Sequence, residues 1–328
     1  MSSATPQITK GRPGMAHFVF TYGVEPATDG VQSTAEKFCP IRGNRVSICH
    51  EIFTSTAGEG EMLRIVLTPG AQRSLRDIRG FATHLVVYAW QQLKVRCKVL
   101  VWDRRNMGLS SIAYGEEPLP VDEADDLYFL LKELNMAPAL LYGVSAGARI
   151  GLIMSLRHPE SVLGNVVAPP SGSESTAKTL SEGYYRQYIE VAETGGMEAV
   201  AETPYYAALL ANHEKHGLKQ SRASFLSIDP PHFVASMKAS VEFMLKYSHE
   251  PVIGATADEL RQTAVPHLCL HHGDLRDRLH SKESCEEIAG VLGCAFHVAT
   301  DRPSTFSRVF EFARQHQALG RAAQRARL

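Results

Sequence analysis

Ala139-Leu140-Leu141-Tyr142-Gly143-Val144-Ser145-Ala146-Gly147-Ala148-Arg149-Ile150-Gly151-Leu152-Ile153-Met154 decides how this chain folds. Its first four residues form an apolar run of strand length. From Ala146 onward apolar residues return at intervals of three and four, which is the spacing of a helix. Between the two lies G-x-S-x-G, a strand-turn-helix pattern with a mechanical reason for its glycines. A serine on a tight, strained turn projects its hydroxyl above the carboxyl end of the strand, and the residues two positions away then cannot carry colliding side chains. The helix that starts there directs N–H groups and a partial positive charge at the hydroxyl, which favours an oxyanion. Such a pentapeptide also arises by chance in βα turns. The flanking strand and helix, followed by Arg157-His158-Pro159-Glu160 and a further apolar run, give Ser145 its reading as a nucleophile.

Outward from the turn the same rhythm recurs. Leu63 to Leu67, Lys98 to Trp102, Gly164 to Val167, His267 to His271 and Ala295 to Ala299 are short apolar runs. Near-continuous apolarity implies burial on both faces, as parallel strands require. Phe81 to Leu93, Glu123 to Leu134 and Ser281 to Leu292 carry helical spacing between them. The expected fold class is therefore α/β, a mostly parallel sheet covered by helices. The rhythm stops after Pro169-Pro170, where helix formers and tyrosines replace strand-like runs. The expected organisation is an N-terminal extension over residues 1–40, a core formed by 41–168 and 256–328, and a helical cap over 169–255.

Composition excludes several classes of function. The 328 residues carry 34 Lys plus Arg against 35 Asp plus Glu, so no net field attracts nucleic acid or an anionic membrane. A small, roughly neutral molecule is the expected partner, and the oligomeric state is not readable. Cys39, Cys49, Cys97, Cys269, Cys285 and Cys294 show neither CxxC nor zinc-ligand spacing, and several sit in apolar runs as reduced thiols do. No Gly-rich dinucleotide turn, P-loop or metal cluster is present, so no cofactor and no metal is expected. No stretch approaches the roughly 18 apolar residues of a membrane span, and the first thirty residues lack a leader pattern, so the expected location is cytoplasmic.

From about Arg45 to Arg314 the chain resembles the α/β-hydrolase family with a helical cap. The resemblance is specific at Gly143 to Gly147, and Asp103-Arg104-Arg105-Asn106-Met107-Gly108-Leu109-Ser110 is similar to the D-x-R-x-x-G-x-S turn after the family's fourth strand. There Asp103 is expected to form a turn rather than to do chemistry. The resemblance implies an oxyanion hole built from the N–H of Ala146 and one donor in Thr68-Pro69-Gly70-Ala71-Gln72, Ala71 first and Gln72 second. Where family members often have His-Gly, this chain has Pro-Gly, which is also an ordinary turn signal.

Chain order in this family is serine, acid, histidine. The resemblance places the acid after His267 to His272, at Asp277 or, two residues nearer the glycine than usual, Asp274. At the histidine the sequence departs from the family, because the expected Gly-His turn before Asp301-Arg302-Pro303 is missing. His297 lies in the expected region, on a strand pattern that also reads as core. His280, three residues past Asp277, is the second candidate, and a chain with no working base is the third reading. His271 and His272 read as strand-end residues. In the cap, Tyr184 and Tyr188 share a helical face, which suits either an apolar pocket or plain packing.

The resemblance implies a serine hydrolase acting on an ester, thioester or lactone of a small, partly apolar substrate, an esterase or lactonase. Two alternatives remain open. One is hydrolysis of a carbon-carbon bond in a ring-fission diketone by the same residues. The other is a non-catalytic ligand-binding protein on a hydrolase scaffold.

Overall fold

A computed structural model describes residues 30–273, 279–299 and 301–325, with side chains to His316. Nine strands make one sheet: β1 (Val31–Ser33), β2 (Lys37–Ile41), β3 (Val46–Ser55), β4 (Leu63–Thr68), β5 (Cys97–Trp102), β6 (Ala139–Gly143), β7 (Val162–Val167), β8 (His267–His271) and β9 (Ala295–Val298). The order across the sheet is β1-β3-β5-β4-β6-β7-β8-β9, with β2 paired to β3 beside β1. β3 runs antiparallel to β5, and from β5 to β9 every pair is parallel.

The helices that cover the sheet are α1 (Arg79–Leu93), α2 (Leu119–Glu133), α3 (Ala146–Arg157), α9 (Ala257–Gln262), α10 (Lys282–Leu292) and α11 (Arg302–Arg325). Between β7 and β8 the chain forms α4 (Glu174–Ser181), α5 (Gln187–Ala201), α6 (Pro204–Lys215), α7 (Gln220–Leu226) and α8 (Pro230–Lys246). The central strands are buried apart from the part-exposed Arg64, Lys98 and Leu163, and successive residues serve opposite faces. Ile65 and Leu67 of β4 pack with Phe81, Leu85, Val309 and Phe310 from α1 and α11. Val66 between them packs with Leu127, Leu131, Ile150 and Met154 from α2 and α3. Each such side chain contributes about 1.5–3 kcal/mol on leaving water, which fixes the strand register because a one-residue slip would exchange the two cores.

One expectation is corrected here. Residues 31–40, expected within an extension, form β1 and, together with Ile41 of the expected core, β2, both on the outer edge of β3; residues 1–29 lie outside the described residues. β3 itself was not anticipated. Ser47, His50, Glu51 and Thr54 interrupt its apolar pattern, yet His50 and Glu51 are buried, Glu51 accepting from Ser33 Oγ and from Arg79 Nε at 2.5 Å.

The strand order places the site. From β4 the chain moves outward to β5, and from β6 it moves the other way to β7. The connections leaving β4 and β6 diverge, and such a reversal opens a crevice at the carboxyl ends of the strands. The five helices from α4 to α8 have a hydrophobic cluster of their own, including Tyr188, Tyr206, Phe225, Phe233 and Met237. They also reach the segment after β5, where Tyr205 Oη donates to Asn106 O at 2.5 Å and Asn212 Nδ2 to Gly108 O at 3.0 Å.

Candidate active site

β6 ends at Gly143 in register with Thr68 on one side and Val167 on the other. Two residues later Ser145 adopts φ 54 and ψ −113, a conformation that costs a non-glycine residue about 1–3 kcal/mol and is held only by its surroundings. The restraints are visible. Val144 N donates to Thr68 O at 3.2 Å, Ser145 N to Pro169 O at 2.9 Å and Gly147 N to Val144 O at 2.8 Å. A Cβ at Gly143 would lie 2.2 Å from Gly147 O, and one at Gly147 would lie 2.2 Å from Thr68 O. Both contacts are with backbone, so neither position admits a side chain without moving a strand.

Ser145 is half-buried, and His280 Nε2 lies 2.8 Å from its Oγ across 135 positions of sequence. His280 is 7% exposed and immediately precedes Ser281, whose hydroxyl caps α10 by accepting from Ser284 N at 3.1 Å. Its backbone is held from β8. His271 Nε2–H donates to His280 O at 3.1 Å, and His271 Nδ1 accepts from Gly273 N at 3.0 Å. A carbonyl only accepts and an amide N–H only donates, so these two bonds fix His271 as the neutral Nε2–H tautomer. His271, read from sequence as a strand-end residue, does end β8 and from there holds the backbone of His280.

His297, the other candidate, is not brought to Ser145. It stands opposite Leu270 on β9 at the edge of the sheet, part-exposed, with Arg308 and Glu311 of α11 as its charged surroundings. Burial, then Arg308, lowers its proton affinity. Asp274 and Asp277 lie outside the described residues.

The loop after β4 meets the elbow face to face. A Cβ at Gly70 would lie 2.9 Å from Ser145 Cβ, so Gly70-Ala71 runs directly beside the hydroxyl. Ala71 sits at φ 46, and its carbonyl accepts from Arg104 Nη2. Ala146 opens α3, a position whose backbone N–H has no acceptor within its own helix.

Arg104 and its neighbours form a buried charge lattice that sequence reading left as a turn. Arg104 Nη1 bonds both oxygens of Glu123, at 3.1 and 3.2 Å. Arg105 bonds Asp122 at 2.6 Å and Asp126 at 2.6 and 2.7 Å. The signal was present as paired arginines before a helix opening Asp122-Glu123 with Asp126 one turn later. Asp103, expected to form the turn, accepts from Leu75 N at 2.6 Å and Leu109 N at 2.8 Å. Burial raises its carboxyl to about 6 against the pull of those two bonds.

Ala71, Gln72, Arg104, Glu123, Arg149, Tyr184, Tyr185 and Tyr205 line one narrow cavity of about 30 Å³. Burial raises the phenol pKa of each of these tyrosines, so they stand as neutral donors.

No family model matches the chain. A 65-residue stretch is 40% identical to the uncharacterized hydrolase YraK of Bacillus subtilis (strain 168), covering 20% of this chain and 24% of that protein. The match therefore spans about a quarter of that relative. Among solved structures, a hydrolase from Pseudomonas aeruginosa PA01 superposes with TM-score 0.53 at 19% identity, over 85% of this chain and 97% of its own. MGS-M2, an alpha/beta hydrolase enzyme from a Medee basin deep-sea metagenome library, gives TM-score 0.52 at 18% identity, over 84% and 96%. The strand order, the elbow and these likenesses agree: the chain has the α/β-hydrolase fold. Among the described residues no helix is long and apolar enough to cross a membrane.

Proposed function

We propose that the chain is a serine hydrolase that cleaves a carboxylic ester, thioester or lactone of a small, partly apolar substrate through an acyl-enzyme. The observation that carries this reading is the 2.8 Å approach of His280 Nε2 to Ser145 Oγ at a strained elbow. A serine hydroxyl becomes nucleophilic only when a base takes its proton, and this separation lies within the reach such a transfer needs. For Nε2 to accept, the ring proton must reside on Nδ1. Asp277, three residues earlier in the sequence, is our assignment for the acid that orients it.

Ser145 Oγ attacks the substrate carbonyl while its proton passes to His280 Nε2. The oxyanion is received by the N–H groups of Ala146 and Ala71, the first reinforced by the N-terminal end of α3. His280 then returns the proton to the departing oxygen or sulfur. Water, deprotonated by the same nitrogen, attacks the acyl-enzyme and releases the acid. Tyr184, Tyr185, Tyr205 and Tyr206 of the insertion line the narrow cavity that Ala71 also borders, which is our assignment for the substrate's entry.

The test is labelling with a fluorophosphonate probe followed by peptide mapping. The expected outcome is one adduct, on Ser145, absent in Ser145→Ala. An unlabelled wild-type protein that turns over no short p-nitrophenyl ester would remove the hydrolase reading and leave a binding protein on this scaffold.

A further inference from the structure

Arg149 lies one turn beyond Ser145, in the first turn of α3, its N–H donating to Ser145 O at 3.1 Å. It is 1% exposed, and both its Nε and its Nη1 are buried without a hydrogen-bond partner. A guanidinium stays charged at any working pH, so it cannot relieve its burial by losing a proton. Burying such a charge without a counter-charge is among the most costly arrangements a protein can hold.

The acids nearby are already engaged. Glu123 is taken at both oxygens by Arg104, and Asp122 and Asp126 are shared by Arg105 and Arg42. Arg149 and Arg104 line one cavity in which Glu123 is the one carboxylate among the described residues, which leaves two positive charges against one negative there. Ala71, proposed to receive the oxyanion, lines the same cavity, as do Tyr184 and Tyr205.

The geometry points to a substrate-anion site: Arg149 receives a free carboxylate carried by the ester substrate, so the substrate class is esters that bear a second, ionised carboxyl group. The inference rests on the hydrolase reading for the word substrate, whereas the anion site itself rests on Arg149 alone. A guanidinium whose Nε and Nη1 are both unbonded offers a carboxylate charge-assisted hydrogen bonds, and burial strengthens them.

Two matched pairs of esters provide the kinetic test: mono-p-nitrophenyl glutarate against p-nitrophenyl valerate, and 4-acetoxybenzoate against phenyl acetate. Wild type is expected to favour the carboxylated member of at least one pair by about 10-fold or more in kcat/KM, since a charge-assisted bond is worth about 1.5–3 kcal/mol. Arg149→Met should remove that preference, a fall of about 10-fold or more in the ratio, with KM carrying most of the change, and Arg149→Lys should restore part of it. No preference in wild type, or equal losses on both members of a pair, would overturn the proposal.

A binding measurement separates this inference from the hydrolase reading. Calorimetric titration of glutarate into Ser145→Ala should show one site that is missing in Ser145→Ala/Arg149→Met. Labelling of Ser145 without glutarate binding or carboxylate preference would sink the anion site and spare the hydrolase. Glutarate binding without labelling would do the reverse. Should Arg149→Met fail to fold, the wild-type preference and the titration of Ser145→Ala decide the matter.

Discussion

The site has two banks built on different principles. On one, β6 and α3 deliver Ser145 through a contiguous pentapeptide, whose turn is held by backbone bonds and by backbone clearance at Gly143 and Gly147. β6 itself, Ala139–Gly143, holds no titratable side chain except Tyr142. On the other, β8 is crowded with imidazole: His267 and His271 lie within it, His272 follows it, and His280 stands beyond it. The first bank is rigid by geometry and indifferent to pH. The second delivers a side chain from a loop, with a histidine steadying a histidine, and its burial of neutral imidazoles ties its stability to acidity.

The sharpest way to break this comparison is to exchange the two candidate histidines. His280→Ala should lower kcat/KM on a short p-nitrophenyl ester by about 1000-fold, in the range expected for loss of a general base, while His297→Ala stays within about twofold of wild type. Steady-state kinetics on both variants checks this. A large loss at His297 and a small one at His280 would reverse the assignment of the base.

Next in size is the elbow's dependence on backbone clearance. Gly147→Ala places a methyl 2.2 Å from Thr68 O, and the strand shift needed to relieve it should destabilise the protein by about 3 kcal/mol. Urea unfolding at pH 7.5 measures it. A variant as stable as wild type would show that the two loops are not locked together.

The smallest expected effect sharpens the pH contrast. His267 is buried with neither ring nitrogen bonded, and burial depresses its pKa from 6.5 to about 4. The unfolded chain then binds the proton that the folded chain refuses, so stability is full above pH 6.5 and falls as the pH drops toward 4. Between pH 7.5 and pH 5 this amounts to about 2 kcal/mol. Urea unfolding at both values should show a smaller acid loss in His267→Leu than in wild type. Equal losses would mean that His267 finds a partner when protonated.

Legibility followed the same division. Most of the parallel strands, and Ser145 with them, were readable because buried strands need unbroken apolarity and the elbow needs glycine at two fixed offsets. β3 was not, because its Glu51 and His50 are polar yet buried, and a side-chain partner such as Arg79 is invisible one residue at a time. The histidine was left between two positions for a related reason. Chain order favoured His297, but β9 carries that residue to the sheet edge, and the turn after β8 supplies His280 instead. Arg149 was passed over as one more residue of the helix. Its unpartnered nitrogens exist only once the surrounding acids have been distributed among other arginines.

The margins of the sheet have a colloidal consequence. One is formed by β1, three residues long, and β2, whose Pro40 lacks an N–H to give; the other is β9, four residues long with Val298 43% exposed. An incoming strand would find too few free backbone groups in sequence to zip against. Brevity at both borders, more than charge, therefore guards this ribbon against growing sideways into fibrils.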